Sequence, residues 1–393
     1  MPLHWLHDEL QQRRSLGLFR SISVATHTSD SEIEIDGKRL VNFGANDYLG
    51  LASHPNLIAV VNAPTEPGCE VNRWGSGASP LVSGYGPNHA ALEYEIAKFE
   101  NTEAAILFST GYAANVGTVA ALATSQDIIF SDELNHASLI DGCRLSRAKI
   151  CIYPHADIDI LRALLREHRK TARRAFLVTD SLFSMDGDIA PLDSIVELAD
   201  EYDFVTIIDE AHATVVYGQH GRGVSELFGV EDRIPVRIGT LSKAIGSLGG
   251  FVAGSQILID YLRNFARTYV YSTAMPAGMS RAAIAGLRLA HQMHNERQQL
   301  QRTSIQLRKS LTGIGLSVPM GDSPIIPVYL GDAETTVQLS LELRNQGHFV
   351  PAIRPPTVPQ EKSLLRISLS ISHTEKQIAS LLTCINHRPE LQP

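Results

Sequence analysis

A chain of 393 residues has room for one large domain and a smaller one, and 44% hydrophobic with 19% charged residues are proportions of a globular enzyme. A formal net charge of −8 argues against nucleic acid or an anionic membrane surface as the main partner. Cys69, Cys143, Cys151 and Cys384 show no C-x-x-C spacing, so free thiols in a reducing cytoplasm are expected rather than a disulfide framework or a metal site.

The opening stretch MPLHWLHDELQQRRSLGLFR mixes acids with bases and lacks the apolar centre of a signal peptide. No apolar run approaches the ~18 residues of a membrane helix. Residues 1–45 are read as an N-terminal segment, 46–275 as a large domain and 276–393 as a small C-terminal domain. In the large domain, short β-branched runs predict strands at 104–108, 127–131, 149–153, 175–179, 204–208, 236–240 and 250–254. Helical patterns such as DIDILRALLREHRK and PLDSIVELADEY separate several of them. Strands apolar on both faces and alternating with helices predict an α/β fold with a mostly parallel seven-stranded sheet. Ligands of such sheets bind beyond the carboxyl ends of the strands. Beyond about residue 275, a long polar helical stretch (SRAAIAGLRLAHQMHNERQQLQRTSIQLRKSL) leads to strands near 325–330, 348–353 and 365–371. That pattern predicts a smaller α+β domain.

The residues after each strand carry chemistry. The 104–108 strand runs into Ser109-Thr-Gly-Tyr, and the 127–131 strand into Asp132-Glu-Leu-Asn-His136. The 175–179 strand runs into Asp180-Ser-Leu-Phe-Ser184, the 204–208 strand into Asp209-Glu-Ala-His212, and the 236–240 strand into Leu-Ser-Lys243. Singly, each has an ordinary structural explanation: Asp209 as a helix cap, His136 or His212 as a buried histidine, Lys243 as a surface lysine. Together they place an amine, a carboxylate, imidazoles and a glycine turn with exposed amides on one sheet edge. Those groups suit pyridoxal 5′-phosphate: a lysine for a Schiff base, a carboxylate for the ring nitrogen, an imidazole to stack and amides for phosphate. Gly111 would let the backbone approach that phosphate closely. A dinucleotide site would have to use GSGASPLVSGYG (75–86), which follows no convincing strand.

The segments NFGANDYLGL, SGYGPNHAALE, STGYAANVG, NHASLIDG, DSLFSMDGDIAPL, IIDEAHATVVYGQHGRG, TLSKAIGSLGG, YSTAMP and AIRPPTVP, in this order from about residue 10 to 375, resemble the α-oxoamine synthases. These are fold-type-I, aspartate-aminotransferase-like pyridoxal-phosphate enzymes that join an amino acid to an acyl thioester with loss of carbon dioxide. AIRPPTVP is most similar to the family's biotin-pathway member, which uses L-alanine and a pimeloyl thioester carried on coenzyme A or a carrier protein. The resemblance implies that Lys243 forms the Schiff base, Asp209 partners the ring nitrogen, His136 stacks, and His212 and Ser184 meet the phenolic side. It assigns the phosphate to the Gly111 and Tyr112 amides and Thr240, with Ser272 or Thr273 reaching the cofactor of a second copy in a homodimer. Asn46 and Arg366 would meet the substrate carboxylate, and Arg20 and Thr357 would line the acyl side.

Arg366 also alternates with Leu365 and Ile367 in LRISLSIS, so it lies on the polar face of a strand, either as a carboxylate ligand or as a solvated edge charge. Arg354, held before Pro355-Pro356, faces either the far carboxyl of the acyl chain or acts as a structural tie. Pro80 and Leu81, and the irregular stretch VNAPTEPGCE (61–70), depart from the family pattern. A sister synthase with another amino acid or acyl group is the enzymatic alternative. A catalytically dead scaffold would be expected to lack the lysine or its aspartate, and both are present.

Overall fold

The structure, a computed structural model, describes residues 3–62 and 74–386. Most of the irregular 61–70 stretch lies outside the described residues. The chain forms two compact units, one of Met1–Asn46, Met185–Gly187 and Gln299–Pro393, the other of Asp47–Ser184 and Asp188–Gln298. The helix Ala277–Gln292, which the sequence division at 275 assigned to the small domain, groups with the larger unit.

After a helix over His4–Ser15, the smaller unit has a meander that the sequence patterns above did not include: β1 (Ala25–Ser29), β2 (Glu32–Ile35) and β3 (Lys38–Asn42). Ile35 pairs with Lys38, leaving Asp36 (φ 52°) and Gly37 (φ 72°) as a two-residue turn in the left-handed region. Asp-Gly is the favoured sequence for such a turn. Ile33, Ile35 and Leu40 form its small core with Phe349 packed against them.

The larger unit holds β4 (Ala104–Phe108), β5 (Ile128–Asp132), β6 (Lys149–Tyr153), β7 (Ala175–Asp180), β8 (Val205–Asp209), β9 (Val236–Thr240) and β10 (Gly250–Gly254). They form one seven-stranded sheet, ordered β4-β10-β9-β8-β7-β5-β6, with β10 alone antiparallel to its neighbours. All seven predicted strands are present within a residue at each end. β4, β5, β7, β9 and β10 are buried along their whole length, whereas edge strand β6 exposes Lys149 and Ile152. Each fully buried Ile, Leu, Val or Phe in these strands contributes about 1.5–3 kcal/mol, so this sheet is a rigid platform. Because β4, β5, β6, β7, β8 and β9 run the same way, their carboxyl ends share one edge, and the loops carrying the predicted residues leave from it.

The smaller unit's second part carries β11 (Ile325–Gly331), β12 (His348–Phe349), β13 (Ala352–Ile353) and β14 (Ser363–Ser368). β12 joins the meander beside β3, and β14 lies between β11 and β13. The predicted 348–353 strand is thus two short pieces serving two sheets, broken at Pro351, which has no N–H to donate. The long polar helical stretch is likewise two helices, Ala277–Gln292 and His294–Gly313, parted at Met293. No helix among the described residues is long and apolar enough to cross a membrane.

Candidate active site

Thr110 ends the loop after β4 and caps the helix Gly111–Leu122, its hydroxyl accepting from the Ala113 amide at 3.0 Å. First-turn amides of an α-helix have no intrahelical acceptor, which makes this terminus receptive to an anion. A Cβ on Gly111 would sit 3.3 Å from Thr240 Oγ1, and one on Gly250 would sit 2.5 Å from the Thr110 carbonyl oxygen. Two glycines therefore let β9, β10 and the helix start converge. The Thr240 hydroxyl donates to the Gly249 carbonyl at 2.9 Å and accepts from the Ser242 amide at 3.3 Å, closing the loop that bears Lys243. Leu241 N to Gly249 O (2.9 Å), Ser247 N to Leu241 O (2.8 Å) and Gly246 N to Lys243 O (2.9 Å) complete it. Lys243 is half-buried on this tight loop, which excludes the freely solvated surface lysine.

Asp209, buried at the end of β8, accepts from Asn115 Nδ2 at 2.6 Å and from the Ala211 amide at 2.8 Å. Asn115 Nδ2 also donates to Ser138 Oγ at 2.8 Å, and that hydroxyl lies 2.7 Å from His136 Nδ1. The His136 backbone amide donates to Asp180 Oδ2 at 2.6 Å. Burial, reinforced by the charge of Lys243 and opposed by that of Asp209, holds the His136 pKa below its usual value. Burial and the neighbouring Asp209 push the Asp180 carboxyl well above the usual range. Lys243 is thus within electrostatic reach of both His136 and Asp180. His212, also buried, meets the hydroxyl of the fully buried Tyr48 through Nδ1 at 2.7 Å. Ser184 is half-buried after β7, while Tyr112 is exposed with its hydroxyl bonded to Asp141.

Ser272 and Thr273 line a small cavity in the same unit, together with Ser109, Thr268 and Tyr269. The other predicted residues belong to the smaller unit and form two groups there. Arg366 donates to Asn46 Oδ1 at 3.1 Å and to Ser368 Oγ at 2.7 Å. It is only 5% exposed on the central strand of its sheet, which overturns the solvated-edge alternative. Arg20 donates to Thr357 Oγ1 at 3.0 Å, and Arg354 donates to the Phe19 carbonyl at 3.1 Å. These four residues line an open surface pocket with Ser21, Ala352 and Ile353. Arg354 is thereby a tie to the N-terminal segment in this conformation.

Asn115, Ser138, Tyr48 and Glu210 were not assigned from the sequence. Asn115 had a signal: it falls on the face of Gly111, one turn on, in a mostly apolar helix, and a buried amide needs partners. Glu210, fully buried beside Asp209, accepts from Ser181 Oγ (2.5 Å), Val224 N (3.0 Å) and Ser225 N (2.8 Å). His155 is another: its ring nitrogens meet Asp132 Oδ1 at 3.0 Å and Asp188 Oδ2 at 2.6 Å, with its edge on Phe183.

These donors fit pyridoxal phosphate: an amine, a strand-end carboxylate, a flat neutral imidazole, and a glycine-lined helix start next to a hydroxyl. The pattern of the aminotransferase class I and II family matches residues 38–385, nearly the whole chain. The chain belongs to that family. Among curated members, it is 42% identical to an 8-amino-7-oxononanoate synthase of Geotalea daltonii, over 97% of this chain and 96% of the relative. It is 43% identical to that of Trichlorobacter lovleyi (98% and 97%) and 44% identical to 8-amino-7-oxononanoate synthase 2 of Bacillus subtilis (96% and 95%). Among solved structures of the family's fold, a serine palmitoyltransferase from S. paucimobilis with PLP and myriocin bound matches with a TM-score of 0.91 at 30% identity, covering 98% of this chain and 97% of that one. An 8-amino-7-oxononanoate synthase from Francisella tularensis matches with a TM-score of 0.74 at 31% identity, covering 88% and 97%.

Proposed function

We propose that this chain is a pyridoxal-phosphate-dependent acyltransferase that condenses L-alanine with a pimeloyl thioester, yielding 8-amino-7-oxononanoate, carbon dioxide and the free thiol in biotin biosynthesis. The observation that carries this reading is 42–44% identity over nearly the full chain to relatives of that name. Backbone likeness is shared across such enzymes, whereas substrate choice resides in side chains, so identity is the better discriminator.

When bound, the cofactor supplies an electron sink for the carbanion that forms at the substrate Cα. Lys243 would hold it covalently through its side-chain amine, and that amine would serve as the base for the Cα proton. That role needs a lysine pKa near the working pH, which partial burial favours. Asp209 would accept a hydrogen bond from the ring nitrogen and so keep that nitrogen protonated, and His136 would cover the ring face and exclude water. The Gly111 and Tyr112 amides and Thr240 would hold the phosphate, and Ser184 and His212 would orient the phenolic side. Arg366, steadied by Asn46, takes the alanine carboxylate through a charge-assisted bond. Arg20, Thr357 and Arg354 serve the acyl substrate. The working unit is a homodimer in the cytoplasm, with Ser272 or Thr273 completing the partner copy's phosphate site.

The test is product analysis with purified protein, pyridoxal phosphate and alanine, offering pimeloyl-CoA and pimeloyl-carrier protein side by side. Serine with palmitoyl-CoA and glycine with acetyl-CoA serve as competitors. Faster turnover of either competitor pair would replace this reading with that of a sister synthase.

A further inference from the structure

We propose that Asn115 and Ser138 are positioning residues forming a one-way hydrogen-bond relay, which orients Asp209 as an acceptor and fixes His136 as the neutral tautomer protonated on Nε2. This rests on the roles proposed above for Asp209 and His136. Donor accounting carries it. Asn115 Nδ2 lies 2.6 Å from Asp209 Oδ2 and 2.8 Å from Ser138 Oγ. An amide nitrogen has two hydrogens to give and accepts none, so both are spent here. Turning the amide over would set its carbonyl oxygen against the carboxylate, so this orientation is dictated by the partners.

Ser138 Oγ therefore accepts from Asn115 and gives its single hydrogen to His136 Nδ1, 2.7 Å away. The Ser138 backbone amide also points at Nδ1, at 3.3 Å. A ring nitrogen faced by two donors is an acceptor, which leaves the proton on Nε2. The charged and titratable groups facing His136 are Asp209, Lys243 and Asp180, the last accepting its backbone amide. Burial and Lys243 disfavour a second ring proton, while Asp209 favours it.

Asn115 Oδ1, meanwhile, is buried with no hydrogen-bond partner among the described residues. Leaving a buried carbonyl unpaired costs stability, so packing alone does not account for asparagine at this position. The amide is kept for its two hydrogens. A neutral imidazole can lie over a protonated ring without like-charge repulsion, and the same relay stops Asp209 from turning away from the ring nitrogen.

The experiment uses ¹⁵N-histidine-labelled full-length protein, with and without pyridoxal phosphate, and the variants Ser138→Ala, Ser138→Thr and Asn115→Ala. His136 is assigned by its loss in His136→Gln. In the unsubstituted protein, the ¹⁵N shifts should report an Nε2-protonated ring near neutral pH. Ser138→Ala should mix the tautomers and raise the pH at which His136 titrates, and Ser138→Thr should restore both. Asn115→Ala should keep cofactor binding but slow alanine Cα-proton exchange about tenfold, the loss of roughly one buried hydrogen bond. A proton on Nδ1, or a tautomer and titration unmoved by Ser138→Ala, overturns the relay. Absence of alanine exchange in the unsubstituted protein would instead sink the proposed function, while the tautomer stays readable without cofactor.

Discussion

Lys243 is the residue on which the chemistry turns. Lys243→Ala should retain pyridoxal phosphate through phosphate and ring contacts, but lose the visible absorbance of the lysine-linked form and all turnover. Spectra of the reconstituted variant check this. On the acyl side, Arg354→Ala should raise the apparent KM for the pimeloyl thioester about tenfold while leaving alanine Cα-proton exchange near normal, since one charge-assisted hydrogen bond is at stake. An equal loss in alanine binding would mean that its bond to the Phe19 carbonyl organises the whole smaller unit. His155 makes a different kind of prediction. Burial alone would lower its pKa, but the hydrogen bonds and charges of Asp132 and Asp188 outweigh that and raise it to about 10 from an ordinary 6.5. A raised folded-state pKa means stability that is complete below the unfolded value and is lost as pH rises through the folded one. The pair should add about 1–3 kcal/mol, discounted for partial exposure, at pH 6 and little above pH 10. The difference in Tm between the unsubstituted protein and His155→Gln should therefore shrink steadily between pH 6.5 and 10.

Among the elements, the start of the Gly111–Leu122 helix depends on close backbone approach. The Cβ of Gly250→Ala would come within 2.5 Å of the Thr110 carbonyl and 2.7 Å of Gly111 Cα and N, all backbone atoms that cannot swing aside. The clash should cost about 1–3 kcal/mol and displace the helix start from Thr240. Cofactor titration should then show weakened pyridoxal-phosphate affinity beyond what the fall in Tm alone explains. Gly111→Ala meets only the Thr240 hydroxyl and Cβ, at 3.3 and 3.4 Å, and should be milder. Gly187 shows the same dependence in the smaller unit: it has φ 68°, and a Cβ there would lie 2.2 Å from the Ile325 carbonyl oxygen.

At the scale of the whole molecule, the decisive question is whether each site is complete within one chain. If Ser272 or Thr273 acts on a second copy's cofactor, neither Lys243→Ala nor the double variant Ser272→Ala/Thr273→Ala should turn over alone. Their mixture, after subunit exchange, should regain about a quarter of the normal activity, because about half the dimers are mixed and each has one intact site. No recovery after demonstrated exchange would place both hydroxyls in their own chain's site.

The strands of the large sheet were legible because buried parallel strands must be continuous apolar runs, and their carboxyl ends named the candidate residues at once. Lys243, Asp209 and His136 were therefore visible as a group before any coordinates. The β1–β3 meander was equally encoded, in EIEIDGKRLV with its alternating isoleucines and Asp-Gly turn, but short half-exposed strands give only a weak pattern. Arg366 was placed on the right strand face, yet only the sheet order, with β14 in the centre, decided that this face is buried. The pairings within the Asn115–Ser138–His136 chain and the clamp on His155 were not legible, although Asn115 itself stood out in its helix. Their members are 23 to 94 positions from at least one partner, and local propensity carries no record of which distant donor meets which acceptor. Spacing within one strand or helix is written in the chain, whereas the pairing of hydrogen-bond partners exists only once the sheet has brought its strand ends together.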